Sequence, residues 1–588
     1  MSIRRVALIA VASVAVLGAL LLVAPDARRA PAPAEAQSGS STLAWRACGA
    51  PFECTTLRVP LDYARPTDRQ IEVALVRQPA RDPERREGAL LVNPGGPGAS
   101  GIEFTRAIAG SFAADIRDRF DIVGFDPRGV GESTPLVCHD SIQRLAGLDP
   151  VPATDDDWAE AAQLAREFAA LCAQRGGDLL PHLGSVDVVH DMDRIREALG
   201  DQQLSYLGYS YGTLLGLLYA DRYPDRVRAF VLDGAIDPAI GADEGMAAQA
   251  VGFERAIDGF NANCRARSCP LAADGRDPWA AVIELVDRAR TRPIPSAAAD
   301  RAAGPGEVFT GAMQALYRPG SWRALERAVT EARGGDGSTF VRLTDAYLGR
   351  EGNDYANQSE MNAAVNCLDY EYARDPAHYR ALQPTLAAVA PRIGPSMAPM
   401  GLLCAYWPAP AQPLRLAGGA PSPTLIIGTT NDPATPYEWA IGAHRALPNS
   451  VLLTHEGDGH TVYLTGNRCV DAVVNAYLLA LTTPQDGAIC ARGATGAPTA
   501  PPTPPARAVA TPVLAAPEAR AAAAVTSTAA PTVSTETSSS PPPTEAAPSP
   551  SIEERTRESA IGLRLLAVTV LALVIAVIVV TRRRLMRP

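Results

Sequence analysis

One stretch constrains this chain more than any other: Leu204-Ser205-Tyr206-Leu207-Gly208-Tyr209-Ser210-Tyr211-Gly212-Thr213-Leu214-Leu215-Gly216. Its apolar start reads as a short strand. Residues 214–223, stopped by Pro224, read as a helix. The turn between them carries G-x-S-x-G with Ser210 at its centre. A serine on so sharp a turn has a strained backbone, so the positions around it must stay small. Gly208 and Gly212 meet that demand, and Gly216 lets the helix lie close to a sheet. The hydroxyl then stands at a helix N-terminus, where partial positive charge favours a developing oxyanion.

At 588 residues, 47% hydrophobic and 20% charged, the chain can bury a large core and divides into more than one folding unit. A formal charge of -10, with basic clusters only at the two ends, argues against nucleic acid as a partner. There is no lysine, which excludes Schiff-base chemistry. The ten cysteines form no C-x-x-C pair, so no zinc site is expected, and no other metal or cofactor. An even count points to disulfides. Pairing neighbours in order predicts Cys48–Cys54, Cys138–Cys172, Cys264–Cys269, Cys367–Cys404 and Cys469–Cys490.

Both ends read as membrane-related. In residues 1–36, Arg4 and Arg5 precede an apolar run over 6–23, and Ala34-Glu35-Ala36 fits a cleavage site. An uncleaved anchor is the alternative, because the run is long for a signal peptide. Residues 493–558 are rich in Pro, Ala, Thr and Ser and cannot bury a core; they predict a disordered stalk. Residues 561–581 are apolar except for Arg564, and a basic tail, 582–588, contains Arg582-Arg583-Arg584. This predicts one transmembrane helix with the globular part outside the cell.

Between the ends, residues 57–63 and 70–76 read as antiparallel edge strands. A buried strand at 89–92 runs into Asn93-Pro94-Gly95-Gly96-Pro97-Gly98. Proline has no N–H, so Gly95 and Gly96 are the donors this loop offers a ligand, Gly96 the favoured one. A strand at 120–126 enters Asp126-Pro127-Arg128-Gly129, where Asp126 and Arg128 read as a structural ion pair. Helices at 155–174 and 185–199 and a strand at 227–233 complete an alternation that predicts a parallel sheet over 37–240, covered on both faces. Ligands of such sheets bind beyond the strands' carboxyl ends, where Gly96, Asp126, Ser210 and Asp233 fall. Residues 241–412 are dominated by helical patterns and predict a cap over the site. The sheet resumes over 413–492: one strand ends in Asn431-Asp432, and another, 450–454, precedes Gly457-Asp458-Gly459-His460.

The order Ser210, Asp432, His460 is one in which a nucleophile, an orienting acid and a general base follow one another along a chain. The N–H groups of Tyr211 and Gly96 are the expected oxyanion donors. His455 is the rival base and Asp233 the rival acid. Taken together, Asn93-Pro94-Gly95-Gly96-Pro97-Gly98, Asp126-Pro127-Arg128-Gly129, Gly208-Tyr209-Ser210-Tyr211-Gly212, Asn431-Asp432-Pro433-Ala434-Thr435-Pro436 and Gly457-Asp458-Gly459-His460 resemble the secreted tripeptidyl aminopeptidases of actinobacterial type, relatives of prolyl aminopeptidase. The resemblance covers roughly residues 41–490. It implies an α/β-hydrolase fold with a helical cap, a C-terminal segment of about 403–490 carrying the acid and the histidine, and an exopeptidase acting on free peptide N-termini. The stalk and membrane helix depart from the freely secreted members. An aminopeptidase needs a carboxylate to meet the substrate ammonium; Asp369 is the expected one, with Glu371 and Glu360 beside it. An ester hydrolase on the same scaffold is the alternative.

Overall fold

Strands of the central sheet are built from runs of apolar and β-branched residues. In chain order they are β1 (Arg46–Ala47), β2 (Glu53–Pro60), β3 (Gln70–Gln78), β4 (Gly88–Asn93), β5 (Phe120–Phe125), β6 (Leu204–Tyr209) and β7 (Val227–Asp233). A detached hairpin, β8 (Arg350–Glu351) and β9 (Asp354–Tyr355), comes next, followed by β10 (Leu425–Asn431), β11 (Val451–Asp458) and β12 (Ala488–Cys490). This computed structural model describes residues 43–138, 142–297, 300–419 and 421–500. The export signal, nearly all of the stalk and the membrane helix expected from the sequence lie outside those residues. Among the described residues, no helix is long and apolar enough to cross a membrane.

The ten-stranded sheet has the order β1-β2-β3-β5-β4-β6-β7-β10-β11-β12. β1, β2 and β3 pair antiparallel, as does β3 with β5; every other pairing is parallel. β4, β5 and β6 are buried at every position, as parallel strands covered on both faces must be. Alternate residues of β4 feed different cores. Leu91 packs with Leu214 and Met192 on one face; Leu90 and Val92 pack with Phe112 and Val470 on the other. β2 ends at Pro60, earlier than the sequence predicts, because a turn begins at Leu61.

The chain between β7 and β10 is a helical insertion with its own core, including Ile257, Phe260, Val308, Leu325 and Phe340. Trp158, Ala161 and Ala165 of the helix Asp155–Gly176 join this core, although that helix precedes β6. All five expected disulfides are present. Registers Asn93↔Gly208, Tyr209↔Asp233, Ile427↔Asp233 and Asn431↔Asp458 align the carboxyl ends of β4, β6, β7, β10 and β11 along one rim.

Candidate active site

Ser210 follows β6 with φ 53 and ψ -126, a conformation that non-glycine residues rarely adopt. Its backbone is pinned: Ser210 N donates to Asp233 O at 2.9 Å, and Thr213 N donates to Ser210 O at 2.8 Å. The glycines around it are required by contact. A Cβ at Gly208 would lie 2.4 Å from Gly212 O, and one at Gly212 would lie 2.7 Å from Asn93 Oδ1. Tyr211 opens the helix Tyr211–Arg222, so its N–H belongs to the free first turn.

The loop after β4 presses on this turn. At Gly95, where φ is +93, a Cβ would fall 2.5 Å from Tyr209 O and 2.9 Å from Ser210 Cβ. Gly95 N donates to Asn93 Oδ1 at 2.9 Å, so that N–H is already committed within the loop. Gly96, Ser210 and Tyr211 line one cavity of about 280 Å³.

Two residues beyond β11, His460 turns its Nδ1 to Asp432, 2.9 Å from Oδ1 and 3.0 Å from Oδ2. Asp432 is fully buried and holds its turn together: Oδ1 accepts from Ala434 N and Thr435 N, both at 2.9 Å. Thr435 Oγ1 lies 3.0 Å from Asp432 Oδ2 and 3.2 Å from His460 Nδ1. A ring nitrogen this close to a carboxylate carries its hydrogen toward it, which leaves Nε2 as the basic nitrogen. A Cβ at Gly234, directly after Asp233, would meet His460 Cε1 at 3.3 Å, so the imidazole sits beside the backbone that holds Ser210. The insertion also reaches the histidine: His460 N donates to Tyr317 O at 2.8 Å.

The rivals occupy other positions. Asp233 accepts from Val462 N at 2.9 Å and Tyr463 N at 2.8 Å, thereby bracing the loop beyond His460; burial pushes its carboxyl up to about 6. His455 lies within β11, 3.3 Å from Thr429 Oγ1, and burial pushes its imidazole down to about 4.

A model of the α/β hydrolase fold matches residues 88–272, and a model of TAP-like proteins matches residues 390–490. The chain is 37% identical to serine protease Hip1 of Mycobacterium tuberculosis over 74% of its own length and 87% of that protein. It is 38% identical to carboxylesterase B of the same species, covering 74% and 86%. It is 34% identical to tripeptidyl aminopeptidase of Streptomyces lividans, covering 80% and 90%.

The chain belongs to the TAP-like α/β-hydrolase family.

In this member the expected amine-binding carboxylates need correction. None of the three lines the cavity in front of Ser210. Asp369 is buried at the end of the helix Gln358–Asp369, where it accepts from Ser185 N at 2.9 Å and Ser185 Oγ at 2.5 Å. Glu360 is buried and accepts from Cys138 N at 3.3 Å, whereas Glu371 is exposed beyond the helix. Glu360 and Asp369 are nine positions apart, on opposite sides of the helix, and each is buried against a different partner rather than turned to the cavity. Among the described residues, that cavity is lined by no carboxylate and no guanidinium; its polar groups include Gln249, Asn362 and Asn366.

Asp126 and Arg128 are structural, as expected, but are not paired with each other. Arg128 forks onto Asp191, with both contacts at 2.7 Å, and Asp126 accepts from Ser100 Oγ at 2.6 Å and Ile102 N at 3.1 Å. Thr435 and Tyr317 were not legible as site residues. For Thr435 a signal existed: a turn-forming aspartate accepts backbone N–H groups of the residues just after it, which brings those residues over the carboxylate. For Tyr317 no sequence signal existed.

Proposed function

We propose that this protein is a serine exopeptidase that cleaves peptides from free N-termini through an acyl-enzyme. The observation carrying the proposal is the His460–Asp432 pair, held at the rim where the strained Ser210 and the glycine loop converge. In this reading Ser210 Oγ attacks the scissile carbonyl as His460 Nε2 takes its proton. The oxyanion is received by the N–H groups of Tyr211 and Gly96. His460 then protonates the departing amine, and water repeats the cycle on the acyl-serine. Asp432 fixes the tautomer and stabilises the imidazolium; Thr435 in turn donates to Asp432. Relatives named as a serine protease and a tripeptidyl aminopeptidase support peptide substrates.

A second reading, hydrolysis of carboxylic esters, is favoured by one observation: among the described residues the cavity is lined by no carboxylate to meet an ammonium. A relative named carboxylesterase B stands beside it. The deciding assay compares tripeptide anilides with free and acetylated N-termini and a short-chain nitrophenyl ester. Cleavage confined to free-amine peptides supports the exopeptidase. Equal cleavage of blocked peptides, or ester turnover alone, supports the alternative.

We also propose that the enzyme is tethered to the cell membrane by residues 561–581 and works outside the cytoplasm. Five disulfides with no free cysteine fit an oxidising compartment. Truncation after residue 500 should move activity from the membrane to the soluble fraction; activity that stays membrane-bound would count against the tether.

A further inference from the structure

A second cavity of about 350 Å³ adjoins the one in front of Ser210. Gln249, Tyr317, Tyr347, Asn362, Met397 and Leu403 line both, so the two spaces meet across a single layer of side chains. Met400 lines both as well and is 56% exposed. An unbranched thioether at that place can shift to join the spaces. The far wall of the second cavity is apolar, with Phe168, Phe309 and Met313 prominent. Among the described residues its one charged lining residue, Asp149, is already committed to Arg290 through contacts of 2.5 and 3.0 Å, and it also accepts from Val151 N at 2.9 Å. Among the described residues the second cavity therefore offers no unpaired charge to a substrate side chain, and placing a charged side chain in that space is costly.

We propose that the second cavity is a subsite for a large uncharged hydrocarbon side chain on the acyl portion of the substrate. The inference rests on the exopeptidase reading. There the acyl portion stays bound to Ser210 beneath the insertion while the leaving peptide departs to solvent. The substrates preferred are peptides whose first or second residue carries an aliphatic or aromatic side chain. Lysine and aspartate at those positions are rejected. Apolar pockets discriminate by about 10-fold or more per methylene, so leucine should exceed alanine in kcat/KM by at least about 10-fold.

The test uses free-amine tripeptide anilides with Leu, Ala, Lys or Asp at the first or second position, assayed on the full chain and on two variants. Met313→Trp fills the cavity and should collapse the Leu/Ala ratio toward 1. Thr310→Asp, on the same wall, places a carboxylate there and should raise the Lys/Leu ratio by about 10-fold. Folding is verified by circular dichroism and by fluorophosphonate labelling of Ser210. If Met313→Trp does not fold, Thr310→Asp decides alone. Wild-type ratios in folded, labelled variants would overturn the subsite. The ratio of nitrophenyl octanoate to nitrophenyl acetate turnover is read in parallel. If peptides are not cleaved but esters are, the exopeptidase reading fails, and the same variants still decide the subsite through the ester ratio.

Discussion

The carbonyl of Tyr317 accepts the backbone N–H of His460 at 2.8 Å, and the tyrosine ring stands edge-on to the imidazole with centroids 5.5 Å apart. Tyr317 directly follows the insertion helix Pro305–Leu316, whereas His460 belongs to the sheet's rim. The insertion therefore sets the backbone of the histidine loop as well as walling the cavity.

Removing the Tyr317 ring should weaken that placement. Edge-on aromatic pairs contribute about 0.5–1.5 kcal/mol beyond area burial, so Tyr317→Ala is expected to lower kcat/KM about 10-fold. Tyr317→Phe keeps the ring and the carbonyl and should stay within about 2-fold. Steady-state kinetics on both variants checks this; equal losses would place the effect in the hydroxyl instead.

Asp432 and Thr435 should separate by magnitude. Asp432→Asn presents the wrong partner to Nδ1 and should cost about 10⁴-fold in kcat. Thr435→Val removes a donor to a carboxylate that is fully buried. Oδ2 keeps its contacts with His460 Nδ1 and Thr461 N, so what is lost is one hydrogen bond to a charged group, about 1.5–3 kcal/mol, which is about 10–100-fold in rate. Thr435→Ser restores the hydroxyl and should recover most of it. A Thr435→Val enzyme with wild-type kcat and pH profile would show that the hydroxyl does not act through the pair.

The glycine loop has little tolerance. At Gly95 a methyl group would fall 2.5 Å from Tyr209 O, and the backbone there has φ +93. Gly95→Ala should slow fluorophosphonate labelling of Ser210 by more than about 100-fold, because the loop that carries Gly96 must move away. Normal labelling would mean that the turn relaxes without cost.

Much of this site can be read from spacing because backbone demands leave marks in sequence. A strained serine needs small neighbours, a loop that donates N–H groups needs glycine, and strand ends locate Asp432 and His460. The disulfides follow the simplest pairing, each closing a chain neighbour. Side-chain direction leaves no such mark. Asp369 and Glu360 have the right chemistry for an ammonium and sit on an insertion helix, yet each is buried against a partner outside that helix, Ser185 and the backbone of Cys138. Tyr317 becomes a site residue only through tertiary packing, 143 positions before its partner His460 in the sequence.

Asp369 has a consequence for stability instead. Burial pushes its carboxyl up to about 7, against the smaller opposing effect of its two bonds from Ser185. The unfolded chain ionises this residue near pH 4, whereas the folded chain keeps the proton until about pH 7. The stability it contributes is therefore fully present below pH 4 and is lost as pH rises through 7. Asp233, raised to about 6, acts in the same direction. Asp369→Asn keeps an acceptor for Ser185 N and offers an amide to Ser185 Oγ, but cannot ionise. Between pH 5 and pH 8 the wild-type unfolding free energy should fall by about 2–3 kcal/mol more than that of the variant, at about 1.4 kcal/mol per unit of pKa shift. Urea denaturation at the two pH values measures the difference. Ser185 Oγ also lies 2.6 Å from Tyr211 OH, so the carboxyl is two hydrogen bonds from the residue that follows Ser210. A variant whose pH dependence parallels the wild type would show Asp369 already ionised at pH 5, with Ser185 carrying the whole of its compensation.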